Sequence, residues 1–342
     1  MLNKTQKIAI YMEGHLDSDY GKMGFGVMRY GVNPVCCVID SVYAGRRVSE
    51  ACRLPFDYPV VAGIGEAAAL GAQVLILGTA PSGGRTPPEW EAPLREALSL
   101  GLSIVNGLHD NLNERFGHLL KTGQWVWDVR RPTFTPAIAA ARAAALDNKR
   151  VLLVGTDMAV GKMSAGLEIH RWLRGRGHDA AFLATGQIGI TLTGRGIPLD
   201  AFKVDHACGA VEHMVMEAAG HDIVFIEGQG SLLHPGSSAT LPLLRGSCAT
   251  HLIMCHRARA THLRQPHSVK IPPLKDFIRL NEEVARVCGS LSAAATLGVA
   301  LNTAHLDDAG ARAAIDQLEQ EVHLPVADVV RYDAGKLGAL LL

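Results

Sequence analysis

Short apolar runs, each closed by Gly, Pro, Asp or Asn, recur along the first 132 positions: Ile8–Met12, Val35–Ile39, Val60–Ala62, Val74–Leu77 and Ile104–Val105. Segments of helical character, such as Ile64–Leu70 and Glu89–Leu100, lie between several of them. Unbroken apolar runs alternating with helical stretches predict parallel strands joined by crossover helices. This series closes near Trp125–Pro132. The Ala-rich stretch Pro136–Leu146 then predicts a connecting helix over residues 133–148, with Thr135 as N-cap and Pro136 at its first position. A second series follows, with strands expected at Val151–Val154, Ala181–Ala184, Ile223–Ile226, Leu252–Cys255, Leu297–Leu301 and near Val326–Val330. The pattern therefore predicts two α/β domains, residues 1–132 and 149–342, without internal repeats or low-complexity tracts.

The densest chemistry follows the first strand of the second series. Val151–Val154 runs into Gly155, Thr156, Asp157, Met158, Ala159, Val160, Gly161, Lys162, Met163 and Ser164. A helix is expected next, because Ala165, Ile169, Trp172 and Leu173 fall on one face before Gly175 and Gly177. Strand, glycine-rich turn, lysine and helix in that order make a phosphate cradle: backbone N–H groups point at the anion and the lysine adds a cation. Two departures from the G-x-x-x-x-G-K-[ST] pattern matter. The spacer between the glycines is one residue longer, and Met163 stands where a Ser or Thr hydroxyl would ligate Mg²⁺. Ser164 follows one position later, rotated by roughly 100° around the helix. The loop is thus expected to hold phosphate groups without ordinary Mg²⁺ coordination.

Composition narrows the partners. The chain has 342 residues, 48% apolar and 19% charged, enough for two cores. Lys plus Arg equals Asp plus Glu, 33 of each, and aromatic residues make up only 5%. Neither a broad basic face nor a base-stacking surface is expected, so nucleic acid is excluded as the main partner. Seven cysteines without a C-x-x-C pair suit reduced, mostly buried thiols in the cytoplasm. The polar start Met1–Lys7 reads as no signal peptide, and no apolar run has the length of a bilayer span, so no membrane contact is expected.

Further polar groups sit at expected strand ends, where open α/β sheets bind ligands. Ile223–Ile226 leads into Glu227, Gly228, Gln229 and Gly230. Glu227 is a candidate general base or water-mediated metal ligand, or else a carboxylate capping the next turn. Thr185, Gly186 and Gln187 suit polar recognition or a plain turn. Asn302 and Thr303 suit a ring edge or a turn. Asp205 and His206 precede a helical stretch through His213. His251, His256, Arg257, Arg259, His262, Arg264 and His267 crowd one segment. Their spacing fits no zinc set, so no metal site is expected; a cationic lining for an acidic substrate, or a solvated surface, remains. In the first half, Gly21–Gly26 and Ser82–Arg85 are glycine-rich candidates for ligand approach. The dinucleotide fingerprint is missing, which removes support for a nicotinamide cofactor.

Gly155-Thr-Asp with Val160-Gly-Lys resembles the loop of dethiobiotin synthetase and its relatives, and Glu227-Gly resembles their strand-end acid. Gly78-Thr-Ala-Pro-Ser-Gly-Gly84, Gly107-Leu-His-Asp110, Asp128-Val-Arg-Arg131, Thr185-Gly-Gln187 and Ile271-Pro-Pro273 point more closely elsewhere. With the Gly-Lys-Met arrangement at 161–163, they resemble a two-domain family formerly of unknown function. That family joins a Rossmann-like N-terminal domain to a P-loop C-terminal domain and includes a bacterial D-glutamate N-acetyltransferase. The resemblance spans nearly the whole chain. It implies acetyl-CoA as co-substrate, an acidic amino acid as acceptor, and an enolase-like or dehydrogenase-like enzyme as pathway partner.

Under that reading Gly155, Thr156, Asp157, Gly161, Lys162, Met163, Ser164 and Asn302 are the candidates for holding the phosphate-bearing ligand. Glu227, Asp205 and His206 are candidate bases. Arg130, Arg131, Arg257 and Arg259 are candidates for the substrate carboxylates, with Thr185 and Gln187 as further substrate contacts. Two alternatives stay open: an ATP- and Mg²⁺-dependent ligase or kinase acting on a small carboxylate, with Lys162 and Asp157 serving phosphate and metal, and a nucleotide-binding regulator. A homo-oligomer is the usual expectation for a cytosolic enzyme of this size.

Overall fold

The computed structural model describes residues 2–52, 54–287 and 293–342, which leaves Cys288 outside the described residues. The chain forms two compact units, one of Met1–Arg131 with Gln187–Pro198, the other of Pro132–Gly186 with Leu199–Leu342.

The first unit carries β1 (Ile8–Tyr11), β2 (Val35–Ile39), β3 (Val60–Val61), β4 (Val74–Leu77), β5 (Ser103–Asn106) and β6 (Val126–Asp128). Its crossover helices are α1 (Lys22–Tyr30), α2 (Val48–Ala51), α3 (Ile64–Ala69), α4 (Glu91–Ser99) and α5 (Leu112–Phe116). All strands pair in parallel, in the order β3-β2-β1-β4-β5-β6. This is the doubly wound Rossmann order. Strands β1 and β4 lie in its middle and are buried along their whole length, which is why they read as unbroken apolar runs. Strand β6 carried no such run: it spans three residues at the sheet edge and leaves Trp127 half-exposed. The glycines at 21–26 do not form an open loop. Gly24 lies inside α1, and a β-carbon there would sit 2.4 Å from the Met12 sulfur. They let the helix close on the strand.

The second unit carries β7 (Lys149–Gly155), β8 (Ala180–Leu183), β9 (Ile223–Ile226), β10 (His251–Arg257), β11 (Ala295–Asn302) and β12 (Val326–Ala327). Its parallel order is β12-β11-β10-β7-β9-β8. The helices that follow along the chain are α6 (Lys162–Arg174), α7 (Gln187–Thr193), α8 (Val204–Glu217), α9 (Thr240–Ser247), α10 (Leu274–Val287), α11 (Asp308–Val322) and α12 (Gly335–Gly338). Of these, α7 belongs to the first unit, where it packs on α1. Strand β7 sits between β10 and β9, so the loop that follows it opens at the middle of the sheet's carboxyl edge.

One expectation fails outright. Residues 133–148 form no connecting α-helix; they have no regular structure apart from a single 3₁₀ turn at Arg142–Ala145. Tertiary contacts override the alanine propensity. The fully buried Glu212 of α8 accepts from the backbone N–H groups of Ala140 (3.1 Å) and Arg142 (2.7 Å), and from Arg142 Nε at 2.9 Å. Those amides are held by a carboxylate instead of a helical turn. Gly209 permits the contact, because a β-carbon there would meet the Ala137 carbonyl oxygen at 1.7 Å. Asp205 and His206 lie inside the first turn of α8, not ahead of the helix.

Among the described residues every cysteine is free. Cys37, Cys248 and Cys255 are buried, while Cys36, Cys52 and Cys208 are half-buried. No helix of the described residues is long and apolar enough to cross a membrane.

Candidate functional site

Gly155 ends β7, and the Thr156 N–H continues the ladder onto the Cys255 carbonyl at 3.1 Å. The turn is then pinned through Asp157. One oxygen of its carboxylate accepts from the Met158 N–H at 2.6 Å, the other from the Arg264 N–H at 2.8 Å. Gly161 caps α6 with φ at 104°, a left-handed conformation that favours glycine. No side chain caps α6, so the N–H groups of its first turn are left for an anion. Lys162 opens that helix. It is buried, and its ammonium donates to the loop's own Asp157 carbonyl at 2.8 Å. Burial pushes its pKa down to about 8, against the pull of Cys255, Asp157 and Glu227. A buried cation held only on a carbonyl is a group of the kind that can exchange that partner for a phosphate oxygen.

Glu227 stands at the end of β9 beside this lysine. Its Oε2 accepts from the N–H groups of Thr185 (2.8 Å) and Gly186 (3.1 Å), while the Thr185 hydroxyl donates to the Glu227 carbonyl at 2.8 Å. Burial raises its pKa to about 7, although both amides and Lys162 favour the anion. Such a carboxyl changes charge near neutral pH, which suits proton transfer. Gly228 brings the strands together: a β-carbon there would lie 1.6 Å from the Leu153 carbonyl and 2.8 Å from Lys162 Cδ. Asn302, at the end of β11, turns its amide nitrogen to within 3.8 Å of where a Gly161 β-carbon would sit.

The structure thus gathers Gly155, Thr156, Asp157, Gly161, Lys162, Glu227, Thr185 and Asn302 around one loop. Met163 and Ser164 lie half-buried in the first turn of α6. The remaining candidates lie on other elements. Arg257 ends β10, and Arg259 follows it with φ at 60°; both are exposed. Asp205 is exposed on α8, and the His206 ring bonds the Pro136 carbonyl at 3.0 Å. Gln187, Arg130 and Arg131 belong to the first unit. There Arg130 Nε donates to the Gly107 carbonyl at 2.7 Å, and Arg131 reaches Glu114 at 3.4 Å.

Sequence reasoning placed His256 in a cationic lining or on a solvated surface, and the structure corrects this. His256 is buried against the Thr156 hydroxyl, with Nδ1 at 2.9 Å, and burial lowers its pKa to about 4. It is therefore a neutral prop for the loop and no part of a cationic lining. His251 likewise has its pKa lowered, chiefly by burial. The available signal was position: residue 256 falls within an apolar strand whose neighbours pair with β7.

A glycine loop with a buried lysine at the centre of a parallel sheet, preceded by a Rossmann-ordered unit, defines a two-domain P-loop protein. The comparisons with known proteins agree. The chain belongs to the DUF1611 family: residues 137–338 match its P-loop domain of unknown function, and residues 41–132 its Rossmann-like domain of unknown function. A crystal structure of a DUF1611 family protein from Anabaena variabilis superposes with a TM-score of 0.96 at 45% identity, covering 99% of each chain. Two relatives are named D-glutamate N-acetyltransferase. The one from Tritonibacter scottomollicae is 36% identical over 80% of this chain and 82% of its own length; the one from a Pseudoalteromonas species is 34% identical over 81% and 83%. Relatives so named make this chain an enzyme of the transferase kind.

Proposed function

We propose that this chain transfers the acetyl group of acetyl-CoA to the amine of D-glutamate. The observation that carries the proposal is the loop itself: a buried lysine and an uncapped helix N-terminus with a thioether at position 163. A thioether is a soft group and a poor ligand for Mg²⁺, which takes oxygen ligands. The loop therefore favours a phosphate-bearing ligand that needs no hydrolysis, and the pyrophosphate of coenzyme A is one. The names of the relatives support the same reaction.

In this reading the α6 amides and Lys162 hold the pyrophosphate. Glu227 takes a proton from the substrate ammonium. The freed amine attacks the thioester carbonyl carbon, the C–N bond forms, and the tetrahedral intermediate collapses with loss of the C–S bond. The acylated nitrogen gives up its remaining extra proton, and the leaving thiolate takes it up. Products are N-acetyl-D-glutamate and free coenzyme A.

Release of free thiol from acetyl-CoA, measured with D- and L-glutamate, tests this directly. Thiol release dependent on D-glutamate and indifferent to a chelator is expected. No release with either enantiomer, together with tight Mg²⁺-dependent ATP binding, would favour ATP-dependent activation of a carboxylate instead.

A further inference from the structure

At the carboxyl edge of the second sheet, beyond the phosphate loop, two arginines and a histidine converge. Arg257 pairs in register with Asn302, whose amide flanks Gly161. Arg259 lies two residues further on; its Nη2 is 3.7 Å from where a β-carbon of Gly310, in the first turn of α11, would be. His305 sits on the loop between β11 and α11, and its ring bonds the Ala258 backbone, between the two arginines.

No ion pair among the described residues neutralises the cluster. Among the described residues neither arginine has a carboxylate within ion-pair distance, and the nearby Asp307 uses Oδ1 to accept from the Gly310 N–H at 2.8 Å. Burial and then the two arginines lower the pKa of His305, the mark of cations crowded without a counter-ion. The scaffold is fixed nonetheless. Thr303 donates its N–H and hydroxyl to Asp328, and Arg331 donates to the carbonyls of Leu306 and Asp307. Arg259 holds a left-handed backbone conformation that a non-glycine residue adopts at a cost. Such clusters are built for a dianion.

We infer that Arg257, Arg259 and His305 form a second phosphate subsite, which takes a phosphate monoester on the same ligand whose pyrophosphate occupies the Gly155–Ser164 loop. The inference rests on the acetyl-CoA reading, since coenzyme A carries both groups on one ribose. It moves these arginines from the substrate carboxylates to the donor. The pairing of Arg257 with Asn302, whose amide flanks Gly161, favours this, because a group there belongs to whatever the loop holds.

Titration calorimetry with coenzyme A and 3′-dephospho-coenzyme A on the full chain tests it. The intact protein is expected to prefer coenzyme A by about tenfold or more, and the Arg257→Gln/Arg259→Gln double variant to lose that preference while binding the dephospho form as before. Equal affinity of the intact protein for the two, with both lost in Lys162→Met, overturns the subsite and leaves the acetyl-CoA reading standing. Binding of neither, with ATP still bound, overturns both. A double variant that keeps the preference but raises the KM for glutamate returns the arginines to the substrate carboxylates and overturns the subsite alone.

Discussion

Two buried charged groups set the chemistry at the scale of single residues, and each makes a pH-dependent prediction. Lys162 must be protonated to hold an anion, and its pKa without ligand is pushed down to about 8. Affinity for coenzyme A should therefore hold below that pH and fall above it, as binding comes to require proton uptake; calorimetry from pH 6 to 10 reads this. Lys162→Met should abolish binding yet melt no lower than the parent, because the buried ammonium is replaced by an apolar chain of similar volume. Glu227 has the opposite sign. Its folded pKa of about 7 lies above the ordinary 4.5, so its contribution to stability is fully present below 4.5 and lost as pH rises through 7. Glu227→Gln should flatten that part of the melting-temperature profile. The variant keeps an oxygen for the amides of Thr185 and Gly186 but cannot take a proton. Its kcat is expected to fall by about 10²–10⁴, with coenzyme A affinity retained; a loss of binding with kcat unchanged would remove Glu227 from the role of base.

Among the elements, the strap at 133–148 shows how one side chain redirects a segment. Its alanines favour a helix, yet Glu212 takes up its amides and Gly209 admits its carbonyl. Glu212→Ala should remove the acceptor of those part-buried amides and cost about 1–3 kcal/mol. The expected readout is a lowered melting temperature with new protease cleavage confined to 133–148. A melt unchanged from the parent would mean that the strap is held by other contacts. The loop after β7 depends on packing in the same way: Gly228→Ala would press a methyl group into the Leu153 carbonyl and separate β9 from β7. The proposed acetyl transfer should be lost although every polar residue of the loop remains.

At the scale of the whole molecule, the chain leaves the second unit after Gly186, contributes α7 to the first, and returns at Leu199. A fragment of residues 132–342 would carry α7 without α1, and its cleavage by a protease within 187–198 is expected; resistance there would show that α7 needs no support from the first unit. The sequence by itself determined the parallel α/β class and most strands, because strands buried on both faces must be apolar throughout. It also determined the phosphate loop, because strand, glycines, lysine and helix are contiguous and their geometry is local. Only the tertiary structure decided the rest. The strap's conformation depends on a carboxylate seventy positions away, and the neutrality of His256 depends on burial that no local pattern encodes. The assignment of α7 to the first unit depends on packing between distant segments. So does the meeting of Lys162, Glu227, Thr185 and Asn302, which come from segments at the carboxyl ends of four separate strands and become neighbours only when the sheet forms.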